Sequence, residues 1–245
     1  MEPMTIREIM DAVGGKLLGE FGDINRMVGR VETDSRTIHA GSLFVPLVGE
    51  RFDGHAYINA ALEGGAAGCF TQRERESYLP GKFYIKVDST QRALRALSKY
   101  YKKKFPIPVV ALTGSVGKTT TKDMVAAVLG EKYRVLKTEG NLNNEIGVPM
   151  TLLRLSGEHE IAVLELGMNH AGEIDYLSAL VEPDVVLMTN IGDSHIEHFG
   201  SREKILEAKS EIFHHARKDC FVVLNGDDPL LRSLEPKLSF ETVWC

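Results

Sequence analysis

Thr113-Gly114-Ser115-Val116-Gly117-Lys118-Thr119-Thr120 sets two glycines, a lysine and a run of hydroxyls directly behind the apolar Val109-Val110-Ala111-Leu112. A strand that turns through glycine into a helix start lets backbone N–H groups converge on phosphate oxygens, and the helix end adds partial positive charge. In such a loop Lys118 reaches the β- and γ-phosphates and the Thr119 hydroxyl ligates Mg²⁺. The short pattern G-x-x-G-K-T fits, whereas the longer G-x-x-x-x-G-K-[ST] would need glycine where Leu112 stands. A nucleotide phosphate is therefore the expected ligand of Thr113 to Thr120, although the loop does not identify the group that accepts the phosphoryl.

Glu165 closes the apolar run Val163-Leu164. A carboxylate at the end of a buried strand is costly unless something pairs with it, and metal ligation would relieve that cost. Asn143 and Asn144, in Thr138-Glu139-Gly140-Asn141-Leu142-Asn143-Asn144-Glu145, offer amides to phosphate or substrate oxygens. Asparagine also suits turns on conformational grounds alone. His195, after Asn190-Ile191-Gly192-Asp193-Ser194, is by itself an ordinary loop histidine, and Lys209 reads as a solvent-facing lysine on a charged helix.

The elements that must position these groups are strands and helices in alternation. Val109 to Thr113, Ile161 to Leu166, Val185 to Thr189 and Phe221 to Leu224 are apolar enough for a parallel sheet covered on both faces. Helices are expected over Lys118 to Leu129, Gly172 to Leu180 and Arg202 to Ala216, completing a doubly wound α/β pattern. Upstream, Met27 to Val48 alternates short apolar runs with turns, and Phe83 to Val87 reads as a strand, so that segment is expected to be a small mixed α/β domain. A helix capped by Ser89 or Thr90 carries Leu94, Leu97 and Tyr101 on one face, and Phe105-Pro106-Ile107-Pro108 marks the boundary between residues 1–104 and 105–245. The last residues, Phe240 to Cys245, are β-prone and read as cut inside an element, with a terminal edge strand as the alternative.

Composition narrows the partners. With 245 residues, 43% of them apolar, the chain can bury substantial cores, and its net charge of -5 gives no cationic field for nucleic acid. Cys69, Cys220 and Cys245 are odd in number and widely spaced, which suits a reducing cytoplasm better than a disulfide framework. Neither a signal-peptide pattern nor a membrane-spanning run is evident in the sequence.

Taken together, Thr33-Asp34-Ser35-Arg36, Gly41 to Leu47, Asp53-Gly54-His55, the phosphate loop, Thr138 to Pro149, Asn190 to Ser201 and Ala208 to Ile212 resemble the Mur ligase family in order and spacing. The resemblance covers nearly the whole chain, and Thr138 to Pro149 is especially similar to the member that adds D-alanyl-D-alanine. It implies that residues 1–104 bind a UDP-linked substrate, with Ser35, Arg36 and His55 as contacts, and that residues 105–245 form the central ATP-binding domain, incomplete here, with the family's C-terminal domain not visible. It also implies two Mg²⁺ ions held by Thr119, Glu165, His195 and a carbamylated Lys209, with Lys118 completing the catalytic set. Asn225, in Asn225-Gly226-Asp227-Asp228, resembles the adenine-side loop, while Asn143 and Asn144 fall to substrate.

The implied reaction uses ATP to activate the terminal carboxylate of UDP-N-acetylmuramoyl tripeptide as an acyl phosphate, which the amine of D-alanyl-D-alanine then attacks. A monomeric cytoplasmic enzyme of cell-wall precursor synthesis is expected, poorly active as this fragment. A sibling ligase adding the third amino acid, a P-loop kinase or ATPase, and a non-catalytic UDP-substrate-binding module are the alternatives.

Overall fold

The computed structural model describes residues 1–49 and 51–245. They divide into two compact units, Met1–Lys104 with Leu152–Ser156 and Phe105–Thr151 with Gly157–Cys245. The return of Leu152–Ser156 to the first unit has no local signature in the sequence. It is held by a long-range contact in which the Tyr101 hydroxyl donates to the Leu155 carbonyl at 2.5 Å.

The first unit is built on a five-stranded sheet in the order Lys16–Leu18, Phe83–Lys86, Gly68–Thr71, Leu43–Phe44, Val31–Glu32. Only the Lys16–Leu18 edge runs antiparallel to its neighbour. Helix Ile6–Val13 opens with a capping box in which Thr5 and Glu8 satisfy each other's backbone N–H groups. Helix Thr90–Lys102 is capped by Ser89, whose hydroxyl accepts the Arg92 N–H, and it buries Leu94, Leu97 and Tyr101.

The second unit carries a six-stranded sheet in which every pairing is parallel. Its order is Val135–Lys137, Ile161–Glu165, Val109–Thr113, Val185–Met188, Phe221–Leu224, Glu241–Trp244. From Ile161–Glu165 the chain passes over Val109–Thr113 to Val185–Met188, so the direction of winding reverses at the strand that feeds the phosphate loop. Ligand crevices form at such reversals, outside the carboxyl ends of the strands.

Side chains alternate across each strand. Val110, Leu112 and Val163 therefore share one face, and with Ala126, Val125 and Leu129 of helix Lys118–Gly130 they make a buried cluster. Glu165 has the parity of Val163, and its register partner is Leu112, which brings its carboxylate to the N-terminal end of that same helix.

Helix Arg202–Ser210 is shorter than the expected span to Ala216 and continues only as the 3-10 turn Glu211–Phe213. That turn presents the Glu211 carboxylate to the N–H groups of Gly172 (2.8 Å) and Asp175 (3.1 Å), where it caps helix Glu173–Val181. Short elements went unread in the sequence, among them strand Val135–Lys137 and helix Gly147–Leu152. Strand Glu241–Trp244 takes up the sheet edge. Among the described residues no helix is long and apolar enough to cross a membrane.

Leu112 lies fully buried between sheet and helix, so Leu112→Ala is expected to lower unfolding free energy by about 2–5 kcal/mol. Met124→Ala, at a side chain 65% exposed on the same helix, should change it by less than about 0.5 kcal/mol. Chemical denaturation of the two variants checks both.

Candidate active site

Strand Val109–Thr113 delivers the chain into a turn that only glycine accommodates at two points. Gly114 sits at φ 149°, and a Cβ there would strike the Thr189 hydroxyl. Gly117, at φ 81°, is the N-cap of helix Lys118–Gly130 and makes no side-chain cap. The first N–H groups of that helix have no intrahelical acceptor and sit at the positive end of its dipole. Lys118 folds back so that its ammonium donates to the carbonyls of Gly114 (2.9 Å) and Ser115 (3.4 Å). Burial lowers its pKa, and the nearby Glu165 carboxylate opposes that shift.

Behind the loop, Glu165 is 1% exposed. Its Oε2 accepts the Thr119 hydroxyl at 3.0 Å and its Oε1 accepts the Asn143 amide at 2.8 Å. The Glu165 N–H donates to the Thr138 hydroxyl at 3.0 Å. Gly167 packs against Asn143 so closely that a Cβ would lie 2.9 Å from its amide. The burial cost that sequence reasoning assigned to this carboxylate is thus met by a hydroxyl and an amide within the fold.

Lys118, Asn143, Asn144, Glu173, His195 and Lys209 line a cavity of about 260 Å³. Lys209 corrects the residue-level expectation of a solvent-facing lysine, because it is 1% exposed. Its burial and the neighbouring Lys118 charge bring its pKa down to about 7. His195 holds a left-handed backbone at φ 65°. Its pKa is lowered, first by burial and then by Lys209, with Lys118 adding to the effect.

Other expected site residues are placed differently. Thr113 is fully buried, with its hydroxyl unpaired. Ser115 donates its hydroxyl to the Gly192 carbonyl (3.3 Å), while Val116 stands 64% exposed and Thr120 is exposed. Asn144 turns its side-chain oxygen to the N–H groups of Ile146 (3.1 Å) and Gly147 (2.8 Å), a local turn. Asn225 borders a separate cavity of about 510 Å³ with Ile191, Arg202 and Asp228, and its amide donates to the Thr189 carbonyl at 3.1 Å.

In the first unit, Ser35 and Arg36 line a cavity of about 390 Å³ beside Phe44, Phe52 and Tyr57. Arg36 grips Asp34 through two nitrogens, at 2.9 and 2.6 Å, and its guanidinium and N–H bring the Asp34 carboxyl down to about 2. His55, also expected to contact the substrate, is held within the fold by both ring nitrogens. Its Nδ1 faces the Asp53 carboxylate at 2.7 Å and its Nε2 accepts the Gln72 N–H at 3.0 Å, so both nitrogens serve the fold.

Among the described residues, no group of three or more His, Cys, Asp or Glu side chains that could hold a metal is present. The Thr119 hydroxyl and Glu165 carboxylate, in contact at 3.0 Å, are nevertheless a hard-oxygen pair of the kind that suits Mg²⁺, which keeps several waters and takes few protein ligands. Sequence reasoning missed Asn190. Its peptide and side chain both engage the phosphate loop, and its only sequence signal is a place just beyond a central strand.

The Mur ligase middle domain model matches residues 112–243, and the Mur ligase family, catalytic domain model matches residues 28–102. The chain belongs to the Mur ligase family. One relative in this family, a UDP-N-acetylmuramoyl-tripeptide--D-alanyl-D-alanine ligase of Bacillus subtilis, is 45% identical over 229 residues, covering 94% of this chain and 50% of the relative. A crystal structure of MurF from Acinetobacter baumannii superposes with a TM-score of 0.91 at 36% identity, over 100% of this chain and 53% of that one. MurF ligase from Thermotoga maritima in complex with ADP gives a TM-score of 0.80 at 36% identity, over 88% of this chain and 49% of that one. This Mur ligase chain thus spans about half the length of the relatives it matches.

A lysine whose folded pKa, about 7, lies below its unfolded value of about 10.4 opposes folding. The unfolded chain binds the extra proton between these values, so the opposition is complete below pH 7 and fades as pH rises toward 10. In CO₂-depleted buffer, Lys209→Met is expected to raise Tm clearly at pH 6 and distinctly less at pH 9. Equal gains at both pH values would contradict the lowered pKa.

Proposed function

We propose that this chain supplies the UDP-substrate-binding and ATP-binding parts of a cytoplasmic, ADP-forming amide ligase that joins D-alanyl-D-alanine to UDP-N-acetylmuramoyl tripeptide in peptidoglycan precursor synthesis. The observation that carries this reading is the junction of the phosphate loop with Glu165, made by the Thr119 hydroxyl at 3.0 Å, beside the cavity shared by Lys118, His195 and Lys209. The name of the Bacillus subtilis relative supports the substrate pair, and the Thermotoga maritima ADP complex supports the nucleotide.

When bound, Mg-ATP supplies the phosphoryl group that activates the tripeptide carboxylate as an acyl phosphate, while Mg²⁺ neutralises charge. The chain's own residues act by position and charge. The N–H groups at the start of helix Lys118–Gly130 receive phosphate oxygens, and the Lys118 ammonium leaves the Gly114 and Ser115 carbonyls to meet the β- and γ-phosphates. Thr119 and Glu165 would hold one Mg²⁺, and His195 with Lys209 a second.

Lys209 is suited to the carbamate implied by its family. A pKa of about 7 gives it a substantial neutral amine population near neutrality, which adds to CO₂ with release of one proton and becomes an anion. That anion removes the cation–cation conflict with Lys118. Ser35 and Arg36 border the pocket proposed for the UDP moiety, and Asn225 borders the one proposed for adenine. No covalent enzyme nucleophile is required, because the attacking amine belongs to the second substrate.

The 245-residue chain is expected to bind Mg-ADP and UDP-linked tripeptide, with little amide formation alone. In a chain of the relatives' full length, supplying the tripeptide, D-alanyl-D-alanine and Mg-ATP should yield ADP and a pentapeptide product by mass. A phosphorylated product without an amide would instead identify a kinase. Lys118→Ala should reduce ADP formation by at least about 100-fold, and undiminished turnover would remove its phosphate role.

A further inference from the structure

The loop after strand Val185–Met188 is joined to the phosphate loop by six hydrogen bonds that run in both directions. The Asn190 carbonyl accepts the Ser115 N–H at 2.9 Å. The Asn190 side chain then takes both faces of the next residue's polar backbone, its Oδ1 accepting the Val116 N–H at 3.0 Å and its Nδ2 donating to the Val116 carbonyl at 3.0 Å. The Thr189 hydroxyl donates to the same Val116 carbonyl at 2.7 Å. Ser115 and Ser194 complete the join, with the Ser115 hydroxyl donating to the Gly192 carbonyl and the Ser194 hydroxyl donating to the Ser115 carbonyl at 3.2 Å.

Val116 is the position at which such support matters. Its side chain is 64% exposed, so packing does not hold it, and it lies between two glycines with positive φ, where the backbone has most freedom. An amide that accepts a residue's N–H and donates to its C=O ties down the two peptide planes flanking that residue's Cα, and with them its φ and ψ, as a single hydrogen bond does not. The same loop carries His195 five residues further on.

We propose that Asn190 is a positioning residue that locks the two peptides flanking Val116 and so holds the phosphate loop in its nucleotide-receiving shape, in register with the His195 loop. This rests on the nucleotide reading of the loop. Asn190 acts on the nucleotide through the two peptides flanking Val116 and the first N–H groups of helix Lys118–Gly130, not by touching phosphate. Without the lock the loop has more conformations to lose when a nucleotide binds, and affinity falls for that reason.

The test uses the 245-residue chain with Mg-ADP as probe. Asn190→Ala and the isosteric Asn190→Asp are expected to raise the Kd for Mg-ADP about tenfold or more, while Tm of the nucleotide-free protein shifts by only a few degrees. Amide hydrogen exchange at Val116 in the nucleotide-free chain should accelerate about tenfold or more in both variants. Asn190→Asp keeps an acceptor for the Val116 N–H but removes the donor to the Val116 carbonyl, so it is expected to lose affinity at pH 8 as Asn190→Ala does. Unchanged Kd and unchanged Val116 exchange in both variants, with the unsubstituted chain binding Mg-ADP, would overturn the positioning role alone. Failure of the unsubstituted chain to bind Mg-ADP would overturn the nucleotide reading and the proposal with it, and a loss of affinity matched by unfolding would reduce Asn190 to a stability residue.

Discussion

A carboxylate that is 1% exposed must find hydrogen-bonding partners, and the arrangement around Glu165 follows from that requirement. Its two oxygens take one donor each, from Thr119 at the head of a helix and from Asn143 in a distant loop. Those donors can arrive together only if strand Ile161–Glu165 ends level with Val109–Thr113, which the parallel register from Val109↔Ala162 to Leu112↔Glu165 provides. A slip of one residue would turn Glu165 to the opposite face, away from helix Lys118–Gly130. The hydrophobic alternation that builds the core therefore also sets the site, because Val163 and Glu165 are consecutive residues of one face.

Near that carboxylate, around one cavity that Glu173 also lines, stand Lys118, Lys209 and His195. Each has its charged form disfavoured, foremost by burial, and for Lys209 and His195 neighbouring cations add to the effect. Such a cluster responds strongly to an incoming anion. A phosphate or carboxylate entering the cavity favours the charged form of all three. A carbamate on Lys209 would answer the same imbalance from within the protein.

The phosphate loop and the α/β alternation were legible because their signals are local. Glycine spacing, a lysine at a helix start and period-two strands are written in consecutive residues. What was not legible depends on the packing of distant segments. The charged run around Lys209 suggests an exposed helix, yet its side of the helix faces the interior and the lysine is buried. The contacts of His55 were unreadable in the same way, since its Nε2 meets the N–H of Gln72, 17 residues away. Helix Arg202–Ser210 stops before its periodic pattern does, as the following turn carries Glu211 to the end of another helix. Asn190 was legible only as a residue just beyond a central strand, because its partner lies 74 residues away.

The departure of the loop from the longer glycine pattern also has a structural reason. Leu112 stands where that pattern has glycine, and here it is still strand, paired to Glu165 on one side and Leu187 on the other. A β-strand needs no glycine, and a side chain at this position helps fill the core under helix Lys118–Gly130. The turn is consequently confined to Gly114 through Gly117, and two N–H groups within it, those of Ser115 and Val116, are already committed to Asn190. The donors left for an anion then include the Gly117 N–H, the first N–H groups of the helix and the Lys118 ammonium. A short loop splinted from outside reaches by inter-segment hydrogen bonds the rigidity that a longer glycine loop gains by wrapping its ligand, and its competence depends on residues that no phosphate-loop pattern contains.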